Sequence, residues 1–267
     1  MKMTEKVSNK MKNSIPIHQL KMDAPIGDQG YSEEVMHGEI EGLEIFHKAA
    51  VGEGEHPIAG KEDHATFLLV LHGTGVLHTP LGKQTLAAES FVLLPKGTQP
   101  ANLALDEGQT LHYLKFCKKY SAADKESLKT QDYQFDKLYY TRFMDCVPYT
   151  EKIKSPNTIS RTILPGDIIP RVALGTVEAA GPDQVGAHSH PMLEQIFLGL
   201  SDNEITIYAD DAYAKMKAFS IMHIPLGSTH WVEVAAGHKM NYMWMDFFLT
   251  KDGEAWLDTH KHIDENK

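Results

Sequence analysis

Cysteine is scarce: Cys117 and Cys146 are the two in 267 residues. They cannot build a disulfide framework, and neither has a second cysteine close enough for a CxxC pair, so a reducing, cytoplasmic setting is expected. Long apolar runs are missing too. No stretch reaches the roughly 18 uninterrupted apolar residues of a membrane helix, and Lys2, Lys6, Lys10 and Lys12 precede no apolar core of a secretory leader. Neither a membrane span nor a signal peptide is expected. Basic clusters are absent beyond that lysine-bearing segment in a chain of formal net charge -10, which removes the electrostatic footprint that a polyanion needs. Nucleic acid is therefore excluded as a partner.

What remains, 42% hydrophobic and 23% charged, is the composition of an ordinary folded protein. Short β-rich runs bounded by Gly, Pro and Asp recur: "TFLLVLHG", "SFVLLPKG" and "TLHYLKF" in one group, "RVALGTVEAAG", "EQIFLGL", "NEITIYAD", "HWVEVAAG" and "NYMWMDFFL" in another. Such spacing predicts sandwiches or barrels and not βαβ units. Between the groups, a charged segment poor in β-branched residues predicts a short helix and connector, so two all-β domains joined near residues 118–150 are expected. The groups also resemble each other. "FVLLPKGTQP" (Phe91 to Pro100) aligns with "IMHIPLGSTH" (Ile221 to His230), and "TFLLVLHGTG" (Thr66 to Gly75) with "EQIFLGLSDN" (Glu194 to Asn203), which points to an internal duplication.

Chemistry concentrates in "GAHSHPMLEQIFLGL", Gly186 to Leu200. In an extended strand His188 and His190 share a face, so their imidazoles can converge on one ion. Pro191 interrupts the ladder, and Glu194, Ile196 and Leu198 share a face of the resumed strand. His230, after the "PLGST" turn, is the fourth candidate. Three imidazoles and one carboxylate suit Fe, Mn, Ni, Zn or Co better than Ca or Mg, and one such divalent ion per chain is expected.

The spacings HxHxxxE and PxGxxH, here "HSHPMLE" and "PLGSTH", resemble the two motifs of the cupins. The resemblance implies metal ligands at His188, His190, Glu194 and His230, and an all-β fold of two cupin-type double-stranded β-helix (jelly-roll) barrels with a short helical connector. It divides the chain into a tail and arm (1–30), a degenerate barrel (31–118), a connector (119–160) and a metal-binding barrel (161–267). In the first barrel Gly60, Glu62, Thr66 and Pro100 stand at the four ligand positions, so no metal is expected there.

No residue is singled out as catalytic. Arg171 as a carboxylate clamp, Tyr208 as a hydrogen-bond donor and Trp244 as a wall are the substrate-binding candidates, each with structural packing as its competing reading. Glu178 is a further candidate base, and His223 is read as a packing residue. The resemblance implies a metalloenzyme acting on a small oxygen-rich metabolite such as a sugar or keto acid, of dioxygenase, decarboxylase or isomerase type. A non-catalytic cupin that binds a small ligand and carries a structural metal is the alternative. Homo-oligomers, homodimers first, are expected through exposed barrel edges.

Overall fold

Alternation organises the strands. In Leu43–Val51 (LEIFHKAAV), Leu43, Ile45, His47 and Ala49 are buried while Glu44, Phe46 and Lys48 are half-buried, the period of a sheet whose two faces meet different surroundings. The computed structural model describes residues 14–24, 27, 30–95, 101–130 and 138–253. Residues 1–13 of the expected tail and arm lie outside them, as does Pro100. Within them the chain is nearly all β, as expected, with one α-helix at Ala122–Thr130 and four antiparallel sheets of seven, six, four and four strands.

Each half of the chain pairs a large sheet with a small one. In the first half, a six-stranded sheet that includes Leu43–Val51, His64–His72 and Thr110–Lys119 closes over a four-stranded sheet, with Leu68, Val70, Leu77, Leu103 and Leu111 between them. In the second, a seven-stranded sheet that includes Val172–Ala180, Leu193–Gly199 and Lys239–Phe248 closes over the four strands Asp183–His188, Glu204–Ala209, Ala212–Lys217 and His230–Val234. Val177, Val185, Phe197, Ile207, Met216 and Val232 fill that interior.

A third core lies between the halves. Phe67, Leu69, Phe91, Leu114 and Phe116 from the first half pack into one cluster with Leu174, Ile196, Leu198, Met243, Met245 and Phe247 from the second. The large sheets thus meet back to back, and their central strands are buried on both faces. The rings of Phe67 and Phe116 stack there at 4.7 Å. Strand Ile17–Gln19 reinforces the union by pairing with Ser220–Ile224 in the seven-stranded sheet.

The helix is capped reciprocally: Asp124 N–H donates to the Ser121 hydroxyl and Ser121 N–H to the Asp124 carboxylate. Asp124 then accepts two bonds from the Arg171 guanidinium, at 2.6 and 2.7 Å, which fastens the helix to the second half.

Removing Phe116 tests the shared core. Phe116→Ala is expected to cost about 3–5 kcal/mol and to lower the melting of the whole chain in one transition. Two resolved transitions in calorimetry, with only one displaced, would show that the halves melt independently.

Candidate metal centre

Three histidines converge at one end of the second sandwich. His188 ends strand Asp183–His188, His230 begins strand His230–Val234, and the two strands pair so that His188 faces His230 across a bulge after Val185. Ring centroids lie 4.3 Å apart for His188 and His230, 4.9 Å for His188 and His190, and 5.2 Å for His190 and His230. Ligand nitrogens of all three fall within 4.8 Å of one another.

Backbone carbonyls set the tautomers. His188 Nδ1 lies 2.7 Å from Gly186 O and His230 Nδ1 lies 3.1 Å from Ser228 O, so each Nδ1 carries the proton it donates and each Nε2 keeps its lone pair. Burial, helped by nearby His188, lowers the pKa of His230 to about 3, which keeps that lone pair available at neutral pH. His230 Nε2 is buried without a hydrogen-bond partner.

Glu194 does not join them. Its carboxylate lies 2.9 Å from His223 Nε2, and His223 Nδ1 lies 3.0 Å from Glu39, so Glu194 belongs to a polar bridge between the halves. The reason is parity. Leu193–Gly199 sends Ile196 and Leu198, with Glu194, to the core between the large sheets, and Phe197, with Gln195, to the interior where the histidines lie. Gln195 therefore stands where the expected carboxylate would be. Its Nε2 donates to Asp246 Oδ1 at 2.7 Å, which leaves Oε1 buried and without a partner. His188, His190 and Gln195 line one cavity of about 210 Å³, together with Tyr149, Glu151, Lys154, Phe197, Trp244 and Asp246.

Of the substrate-binding candidates, Trp244 alone reaches this cavity. It lies across from Gly175 in the sheet, where any Cβ would run into the indole, so the glycine leaves room for that wall. Arg171 is committed elsewhere: besides Asp124 it bonds the carbonyls of Phe248 and Leu249, at 2.9 and 2.8 Å. Tyr208 stacks on Trp231 at 4.5 Å on the outer face of the small sheet and bonds Glu233. Glu178 is paired with Arg161 at 3.0 Å.

Reasoning from sequence missed Gln195, Asp246, Tyr149, Glu151 and Lys154. A signal existed for Asp246, a lone carboxylate inside "NYMWMDFFL". Burial raises its pKa to about 7, far above the usual carboxylate range. Tyr149 and Tyr242 are raised by burial and Lys154 is lowered by it.

Neither the family models nor the curated protein sequences match the chain. Solved structures do match. A putative glyoxylate-induced protein from Pseudomonas aeruginosa has a TM-score of 0.68 at 12% identity, covering 86% of this chain and 83% of that one. A Bacillus subtilis oxalate decarboxylase variant has 0.64 at 11% identity, covering 88% and 80%. Protein YlbA from E. coli has 0.66 at 11% identity, covering 88% and 91%. The fold is of the cupin type. At such identities the likeness concerns the cupin architecture and carries no side-chain roles.

The contact between Asp246 and Gln195 is open to measurement. Asp246→Leu strands the buried Gln195 amide and is expected to cost about 1–3 kcal/mol, whereas Asp246→Asn, which can still accept that bond, should cost much less. Equal losses in chemical denaturation would mean that the bond does not matter to the fold.

Proposed function

We propose that this chain is a metal-dependent cupin enzyme acting on a small oxygen-rich metabolite, with one divalent transition ion (Fe, Mn, Ni, Zn or Co) per chain held by His188, His190, His230 and Gln195. The observation that carries this reading is the pair of buried, unpartnered atoms His230 Nε2 and Gln195 Oε1 beside His188 and His190, with Gln195, His188 and His190 lining the cavity of about 210 Å³ and His230 closing its adjoining recess with His190 and Gln195. Buried polar groups are nearly always satisfied, so orphaned atoms of metal-ligating types at one end of a cavity point to a ligand.

Imidazole nitrogens and an amide oxygen suit the borderline ions of this list. An ion held by these four side chains would supply Lewis acidity to an oxygen function bound beside it. The chain's own residues provide the setting. Asp246 holds the Gln195 amide so that Oε1 is presented to the histidines, the carbonyls of Gly186 and Ser228 fix two imidazoles, and Phe197, Val185 and Trp244 keep the cavity wall apolar. A cavity that remains open beside the ligands favours catalysis over a purely structural ion. One fold neighbour is an oxalate decarboxylase, which agrees with the decarboxylase member of the dioxygenase, decarboxylase and isomerase range.

Metal analysis of protein purified without a histidine tag should find about one transition metal per chain. His188→Ala/His190→Ala should abolish it, Gln195→Leu should weaken affinity by about 10–100-fold, and Glu194→Gln should leave the stoichiometry intact. Metal retained by the double-histidine variant would sink the proposal. Loss in Glu194→Gln alongside retention in Gln195→Leu would return the fourth position to Glu194. Oxygen-uptake, decarboxylation and isomerisation screens on the loaded protein then choose among the three reaction types.

A further inference from the structure

Lys154 is the buried charge that the metal reading leaves unused. Its side chain is 4% exposed and lines the same cavity as His188 and Gln195. Two of its three ammonium protons have partners, Glu151 Oε2 at 2.7 Å and Ser160 Oγ at 2.7 Å, which leaves the third for an occupant of the cavity. A buried ion pair is weak support for a fold because desolvation offsets its attraction, so packing alone does not explain a lysine on this wall.

Hydrogen bonds tie this wall to the histidines. The turn from Glu151 to Lys154 is closed by Lys154 N–H donating to Glu151 O, and Lys154 bridges to Val185. Gly186 N–H donates to Ile153 O at 2.7 Å, while Gly186 O accepts from His188 Nδ1. One peptide neighbourhood therefore positions both the lysine and the first histidine.

Charge selects the occupant. The four candidate ligands are all neutral, so a bound divalent ion keeps its full charge. Lys154 adds one positive charge, and Glu151 and Asp246, even when both are ionised, remove two. At least one positive charge is left unmatched in a cavity whose remaining walls include Phe197, Val185, Ile153 and Trp244. At about 30 Å³ for each water in the liquid, a cavity of about 210 Å³ has the room of about seven waters, which suits a small molecule beside an ion.

We infer that the cavity takes a small monocarboxylate bearing a second oxygen function, with Lys154 donating to its carboxylate while the oxygen function reaches the ion held by the histidines and Gln195. This rests on the metal reading of the preceding subsection. Lys154 is thus the specificity-determining residue: it separates a carboxylate from its neutral amide.

The test uses the full chain loaded with Mn(II), whose content is measured first, and titrates it calorimetrically with glycolate, glycolamide and oxalate. Glycolate should bind about tenfold or more tightly than glycolamide, and Lys154→Met should weaken glycolate about tenfold or more at unchanged Mn(II) content, with partial rescue by Lys154→Arg. Lys154→Met strands Glu151, so Glu151→Gln/Lys154→Met, with an uncharged wall, serves as the folded companion and should lose glycolate to a similar degree. Unchanged glycolate affinity in both variants, or equal binding of glycolate and glycolamide, overturns the inference while leaving the metal centre standing. Oxalate binding tenfold tighter than glycolate overturns the assignment of a single charge. A wild-type chain that retains none of Mn(II), Fe(II), Co(II), Ni(II) and Zn(II) overturns both readings before any anion is added.

Discussion

A strand buried on both faces must send successive side chains into two different interiors, and the rest of this structure depends on that constraint. Strand Leu193–Gly199 is the clearest case. Ile196 and Leu198 enter the core between the two large sheets, Phe197 enters the second sandwich, and no residue of the strand is exposed. Every polar side chain there must find a partner on its own side, since an unpaired buried group is costly. Glu194 finds His223, which in turn meets Glu39 from the other half. Gln195 finds Asp246 with its amide nitrogen and keeps its oxygen for the histidine side.

The same constraint explains what could be foreseen. Short apolar runs separated by turn residues implied all-β sheets, because a period of two is written in the side chains themselves. The convergence of His188, His190 and His230 was legible from spacing: HxH keeps two imidazoles close even though the strand ends at His188, and the "PLGST" turn brings His230 back against them. The fourth position was not. Between His188 and Leu193 the chain leaves the strand, so spacing no longer carries parity, and "EQ" offers two adjacent polar residues of which only packing chooses one. Arg171 and Tyr208 failed for another reason. Their partners Asp124 and Glu233 lie 47 and 25 residues away in sequence, and local pattern says nothing about such pairs.

Lys154 and Glu151 were illegible in a stricter sense. They sit in a segment whose charged, irregular composition marks a connector, yet that segment folds back as a wall of the cavity by borrowing hydrogen bonds from Val185 and Gly186. Composition identifies chains that are too polar to form a core of their own. It cannot identify those that are buried by someone else's. Asp246 shows the converse, where a single acidic letter in an apolar strand stands out because burying a carboxyl disfavours its charged form.

Gly186 links two things usually regarded as separate. Its N–H holds the turn that carries Lys154, and its carbonyl holds the His188 ring. A side chain there would crowd Ile153 O, only 3.1 Å from where a Cβ would sit. The connector and the imidazole are therefore joined through a single residue, by the two peptide groups on either side of its Cα. The wall that carries Lys154 and the orientation of the His188 ring thus form one mechanical unit, hinged on a residue with no side chain of its own.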